Sequence, residues 1–229
     1  MLEEEIYIQI MSRTQIVNKF NQILAECTWE PHPAYSVFTQ YDGQSYYLPR
    51  KNLFLRKYRC LFALAKTISP SKIIELGTGA GSSADAYLCG FREAGNLSDL
   101  EYVGYDLFNK NYSQLDNSEW NPYEVTRKLF SSRNFCRYKL TKINIRLLKQ
   151  LEKACMVAID SASDFFGAFD DMKLALTANP EWILIDDIEG HGVQKAWAKI
   201  YQTCMDQIDW FYKLDYTGGG LIVKMKNHL

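Results

Sequence analysis

No apolar run in this chain approaches the ~20 residues that a membrane span requires, and its first residues, Met1-Leu-Glu-Glu-Glu, are acidic where a secretory signal would be basic. Charge of one sign is also missing. Lys and Arg number 26 against 27 Asp and Glu, and the basic residues are scattered, so the formal net charge of −1 gives no field for nucleic acid. Histidine is scarce, at three. The six cysteines (Cys27, Cys60, Cys89, Cys136, Cys155 and Cys204) lie far apart, with no Cys-x-x-Cys pair and no Cys/His group spaced for zinc. These absences predict a cytoplasmic protein with reduced thiols and no membrane partner, for which a nucleic-acid partner is unsupported. Internal repeats and low-complexity tracts are absent too.

What is present is periodicity. With 229 residues, 47% of them hydrophobic, the chain suffices for one well-buried α/β domain and is too short for two comfortable ones. Ile6, Ile10, Ile16, Val17, Phe20, Ile23 and Leu24 recur at helical intervals and predict one or two amphipathic helices packed on the main domain. Pro31-His32-Pro33 breaks that pattern. A segment rich in Tyr and Phe, from Tyr35 to Tyr47, then reads as two short strands about an Asp42-Gly43 turn. Leu53 to Ile68 predicts a helix with Leu53, Leu61, Leu64 and Ala65 on its apolar side and Ser69-Pro70 at its end. Beyond it, strands are expected at 72–77, 101–106, 136–141, 155–160, 181–187, 209–215 and 220–226, and helices at 82–94, 122–133, 145–152, 164–178 and 192–206. Such alternation implies an α/β fold with a doubly wound, seven-stranded, mostly parallel sheet. Thr217-Gly218-Gly219-Gly220 is too short for a crossover helix, so the last strand runs antiparallel to its neighbour. The expected organisation is an N-terminal helical and aromatic extension over 1–50 and the main domain over 51–229.

Glu75-Leu-Gly-Thr-Gly-Ala-Gly-Ser-Ser83 compresses a strand end, a glycine turn and a helix start into nine residues. Gly77, Gly79 and Gly81 permit positive φ and close approach of a ligand, while the helix start presents unpaired N–H groups with partial positive charge. Such a turn suits a nucleotide-like ligand that carries a carboxylate. A P-loop is excluded because no Gly-Lys-Ser/Thr follows, and the third glycine of a dinucleotide fingerprint is replaced by Ser82. The next strand ends at Asp106, 25 positions after Gly81, where a carboxylate can bind two vicinal ribose hydroxyls; this fits an adenosine ligand without choosing among adenosine cofactors. Further along, Val157-Ala-Ile-Asp160 and Ile183-Leu-Ile-Asp186-Asp187 finish two central strands in acids. Three carboxylates at one crevice mouth repel each other unless a cation joins them, and a divalent ion, Mg²⁺ by its taste for oxygen ligands, is the simplest. The alternative is that Asp187 caps the following helix and Asp186 orders the cofactor loop.

The acidic-x-Gly-x-Gly-x-Gly pattern resembles motif I of the class I S-adenosylmethionine-dependent methyltransferases, whose fold is a Rossmann-like sheet with a reversed last strand. The resemblance implies that Glu75, Gly77, Thr78, Gly79 and Gly81 surround the methionine part of S-adenosyl-L-methionine, with Ser83 near its carboxylate and Asp106 on the ribose. Asp160, Asp186 and Asp187, the first two 26 positions apart, are similar to the metal site of the cation-dependent small-molecule O-methyltransferases of the catechol, caffeoyl-CoA and macrolide-sugar type. That likeness, over roughly Lys72 to Lys226, implies a metal-dependent O-methyltransferase acting on a hydroxylated small-molecule acceptor. The sequence departs from the pattern at Ser163, where the catechol-type enzymes carry a lysine. His191, at a helix start four residues after Asp187, is the expected replacement as base beside Asp160, with Glu189 a weaker one. The Tyr-rich segment 35–47 is either a lid over the acceptor or a contact in a homodimer, and the polar loop Lys110 to Asn121 is a candidate lid or an inert loop. A metal-independent methyltransferase on another substrate class, a non-catalytic adenosine-ligand module and an NAD-type oxidoreductase are the competing readings; Ser82 and the reversed last strand count against the last.

Overall fold

The computed structural model of the protein describes residues 11–33, 51–95, 99–108, 121–135 and 137–226. The Tyr-rich segment 35–47, nearly all of the 110–121 loop and the residues before 11 lie outside them. Helix α1 (Arg13–Ala25) starts at a capping box in which Ser12 and Gln15 exchange side-chain-to-backbone bonds. Helix α2 (Lys51–Ile68) ends where Ser69 turns left-handed, φ 44°, ahead of Pro70. The remaining elements alternate as β1 (Lys72–Leu76), α3 (Ser82–Glu93), β2 (Glu101–Asp106), α4 (Pro122–Ser132), β3 (Tyr138–Lys142), β4 (Met156–Ile159), α5 (Phe165–Leu176), β5 (Trp182–Asp186), α6 (His191–Cys204), β6 (Ile208–Leu214) and β7 (Gly220–Met225).

The seven strands form one sheet in the order β3-β2-β1-β4-β5-β7-β6, parallel except for β7, which runs antiparallel to both β5 and β6. The strand count, the parallel pairing and the reversed last strand agree with the alternation and the short glycine turn. One expected element is corrected: in place of a helix over 145–152 there is a single 3₁₀ turn, Ile145–Leu147. An eight-residue helix is marginal without a packed face. Here the Thr177 hydroxyl accepts the Leu151 N–H at 2.9 Å and Lys72 binds Glu152 at 2.6 Å, contacts that draw the segment out toward β4.

Alternation along the strands divides the core between the two sheet faces. Ile73, Tyr102, Met156, Ala158, Trp182 and Leu184 face α1 to α4, packing with Phe20, Leu61, Tyr87 and Leu129. Ile74, Leu76, Val103, Val157, Ile159, Ile183 and Ile185 face α5 and α6, against Ala168, Met172, Val193 and Ala196. β4 and β5 are buried along their whole length, as expected of central parallel strands covered on both sides. Burying one such Ile or Val contributes about 1.5–3 kcal/mol. α1 belongs to this packing: Phe20 sits edge-on to Tyr212 at 6.3 Å, and Lys19 reaches the Thr67 carbonyl at 3.3 Å. Among the described residues no helix is long and apolar enough to cross a membrane.

Candidate active site

In an open α/β sheet the ligand crevice lies beyond the carboxyl ends of the strands. A hollow of about 630 Å³ at the opposite edge, lined by Ser71, Lys72, Glu101, Cys155 and Lys226, therefore lies away from the crevice. The crevice itself holds two smaller hollows that share Ser161 and Ala162. One, about 230 Å³, is lined by Gly77, Asp106, Leu107, Asn144, Arg146 and Asp171. The other, about 200 Å³, is lined by Asp160, Ser163, Met172, Asp186, Asp187 and Val193.

The turn after β1 is built from its backbone outward. Gly77 takes φ 94° and lies so close to the Asp160 carbonyl that a Cβ would fall inside that oxygen's radius. Its N–H donates to the Tyr105 carbonyl at 2.9 Å, tying the turn to β2. Gly79, at φ 53°, donates its N–H to Asp106 Oδ2 at 2.8 Å and faces open space where a Cβ would stand. Gly81, the N-cap of α3, brings no side-chain cap, so the helix start keeps donors for a ligand. Thr78, buried, closes the turn by accepting the Gly81 N–H at 3.0 Å. Asp106 also accepts the Phe108 N–H at 2.6 Å. A carboxylate has about four lone-pair sites, so two remain for hydroxyls.

Beneath the turn, Glu75 is fully buried on the α1-to-α4 face of the sheet, and its Oε2 accepts the Tyr102 hydroxyl. Its Oε1 and the Ser82 hydroxyl are buried with no partner among the described residues. An unsatisfied buried polar group costs about 1–3 kcal/mol, which a ligand that bonds to it returns. Burial pushes the Glu75 carboxyl up to about 7, against the Tyr102 hydrogen bond, which pulls it down. Ser83 is buried in the same first turn of α3. These orphaned atoms and the open face of Gly79 fit a polar cofactor seated on the turn.

At the neighbouring strand ends, register does the positioning. Ile159 pairs with Ile185, so Asp160, one residue beyond β4, stands beside Asp186, the last residue of β5. Oxygens of Asp160, Asp186 and Asp187 lie within 4.8 Å of one another. Asp187 follows β5 in a left-handed conformation, φ 52°, which a non-glycine residue adopts at a cost of order 1–3 kcal/mol. It does not cap α6, whose N-cap is Gly190 without a side-chain bond, so the helix-capping alternative is set aside.

Two residues in this cluster were not anticipated. Lys57 of α2 donates from Nζ to Asp160 Oδ2 at 3.0 Å and also to Asp186 Oδ2, with only 13% of its side chain exposed. Tyr216, in the turn before β7, donates its hydroxyl to Asp186 Oδ1 at 2.8 Å. Burial disfavours charge on Lys57, but Asp160 and Asp186 outweigh it and hold the ammonium above the usual lysine range. Burial and the Asp186 charge push the Asp160 and Asp187 carboxyls up, while Lys57 pulls the other way. Burial, joined by the same charge, raises the Tyr216 phenol well above its ordinary value, so it stays a donor.

Position 57 did carry a signal. It continues the buried stripe of Cys60, Leu61 and Leu64 one turn toward the helix start, where a lysine is rarely buried unless paired. No comparable pattern marks Tyr216, which reaches Asp186 through the glycine turn. His191 is exposed at the first turn of α6 and is not among the residues lining the hollow of the aspartates. Glu189 is exposed and paired with Lys213 at 2.7 Å. The buried Cys60 and Cys89 thiols are pushed up to about 12, chiefly by burial, which leaves them poor nucleophiles at neutral pH.

No protein-family model matches the chain, and no curated protein matches it in sequence. Solved structures do match in shape. The SAH-bound methyltransferase PaMTH1 of Podospora anserina aligns with a TM-score of 0.57 at 16% identity, covering 95% of this chain and 98% of that one. A methyltransferase from Geobacter sulfurreducens gives 0.56 at 13% identity, over 95% and 92% of the two chains. The O-methyltransferase TomG of Streptomyces achromogenes, involved in tomaymycin synthesis and solved with SAM, gives 0.54 at 12% identity, over 96% and 93%. Together with the strand order and the single reversed strand, these likenesses show that the chain has the Rossmann-like fold of the class I S-adenosylmethionine-dependent methyltransferases.

Proposed function

We propose that the protein is an S-adenosylmethionine-dependent methyltransferase that moves a methyl group to an oxygen of a hydroxylated small molecule. The observation that carries this reading is the glycine turn over Glu75: a cradle with positive-φ glycines, an uncapped helix start and two buried polar atoms awaiting partners. Gly77, Thr78, Gly79 and Gly81 would line the methionine part, with Glu75 and Ser83 beneath it and the free lone pairs of Asp106 toward the ribose. S-adenosylmethionine, when bound, supplies a methyl group on a sulfonium that an acceptor oxygen can displace in line. The protein's part is positioning, which in favourable intramolecular cases is worth ~7–11 kcal/mol. Ser161 and Ala162 line both hollows, so the aspartate cluster adjoins the hollow of Gly77 and Asp106. That adjacency supports the acceptor's hydroxyl lying beside Asp160 and Asp187.

Metal dependence, which the three aspartates suggest, meets an obstacle in the residues themselves. Asp160 and Asp186 already share the Lys57 ammonium, and the other Asp186 oxygen accepts from Tyr216. As arranged, the set does not fit a divalent ion bridging these carboxylates. The enzymatic reading is tested by incubating the protein with methyl-labelled S-adenosylmethionine and a panel of phenols, catechols and sugars. Label in an ether product is the expected result. Cofactor binding without transfer to any oxygen would leave a binding module or a different acceptor class.

A further inference from the structure

We propose that Lys57 is a built-in cation that takes the place of a divalent metal at the strand-end aspartates, so that this crevice is closed to Mg²⁺ or Mn²⁺. The inference rests on the methyltransferase reading for its meaning but on the ion-pair geometry for its argument.

Three carboxylates at the mouth of one crevice need positive charge nearby. The structure supplies it from α2, by a side chain that is mostly buried and bridges Asp160 and Asp186. α2 packs along α3 and places Leu61 and Leu64 in the core, so the backbone that carries Lys57 is fixed. A metal bound to the same two oxygens needs bonds of about 2.0–2.6 Å and would have to share their space with the ammonium. It would also face the repulsion of a cation that cannot diffuse away. Tyr216 holds Asp186 from the other oxygen, so the carboxylate is fixed in the orientation that faces the Lys57 ammonium.

The position left open at Ser163 gains a meaning from this arrangement. A lysine does reach the first aspartate, but from a different element of the fold. The consequence for the substrate is that no chelation is required of it. An acceptor with one hydroxyl can serve, where a bridging metal would favour two adjacent oxygens.

The test is Mn²⁺ binding followed by electron paramagnetic resonance of the free ion, with calorimetry of S-adenosylhomocysteine on the same samples. Wild-type protein is expected to leave the Mn²⁺ signal unchanged at protein concentrations where Lys57→Met, with its carboxylates released, depletes it, a gain in affinity of at least about tenfold. Lys57→Arg should exclude the ion as the wild type does, and adding Asp186→Asn to Lys57→Met should abolish the gain. Stoichiometric Mn²⁺ binding by the wild type that Asp186→Asn removes would overturn the proposal, and this arm stands even if Lys57→Met fails to fold. A folded Lys57→Met protein with no gain in Mn²⁺ affinity would overturn it as well. Failure of S-adenosylhomocysteine to bind would instead sink the methyltransferase reading and leave the metal result to be judged by itself.

Discussion

The two sides of the crevice are made in different ways. The side proposed for the cofactor is built from one continuous stretch, Glu75 to Ser83, shaped mostly by its backbone, with Asp106 arriving from the adjacent strand to hold Gly79 at 2.8 Å. The aspartate side is assembled from four distant pieces: α2, the end of β4, the end of β5 and the turn before β7. Local backbone geometry writes itself into sequence as glycines at fixed spacing, whereas a charge cluster closed by tertiary packing leaves only an anomaly, a lysine on an apolar stripe. The two sides should therefore break in different ways.

The largest effect is expected on the cofactor side. Gly77→Ala places a methyl group against the Asp160 carbonyl at a backbone φ of 94°, and should cost roughly 3 kcal/mol or more in stability and abolish S-adenosylhomocysteine binding. Chemical denaturation and calorimetry read both. A wild-type-like protein would mean that the turn and β4 are not in contact.

Glu75 makes a prediction about pH. Its folded-state value of about 7 lies above the ordinary glutamate value of 4.5, so the folded state binds the proton more tightly. The stability it contributes is present in full below about pH 4.5 and is lost as pH rises through about 7, a fall of about 3 kcal/mol. Glu75→Gln should flatten that part of the unfolding free energy measured across the same window. An unchanged slope would show that the carboxyl is not the source.

On the aspartate side the expected losses are smaller. Tyr216→Phe removes one donor from the buried Asp186 carboxylate and should cost about 1–3 kcal/mol, seen as a lower denaturation midpoint with an unchanged m-value. No loss would show that water replaces the phenol and that this wall is open. The smallest effect is expected at His191, exposed at the start of α6: His191→Ala should change stability by no more than about 0.5 kcal/mol and turnover by less than the ~10²-fold that loss of a general base brings. A hundredfold drop in turnover would restore it as the base.

Most of the fold was legible because apolar runs of strand length alternate with helical ones and the glycine turn before β7 leaves no room for a crossover. The expected helix over 145–152 failed where the contacts of Leu151 and Glu152, made to residues far away in sequence, decide the local structure. The convergence of Asp160, Asp186 and Asp187 followed from their places at adjacent strand ends. Lys57 and Tyr216 did not follow, because nothing local to either residue says that helix α2 and the last turn meet over β5.

We propose that the bend after β1 holds S-adenosylmethionine, and titration calorimetry of the wild-type protein with S-adenosylhomocysteine decides it. One site per chain is expected, lost in Gly77→Ala. No heat with this ligand, alongside saturable binding of NAD or NADP, would contradict it.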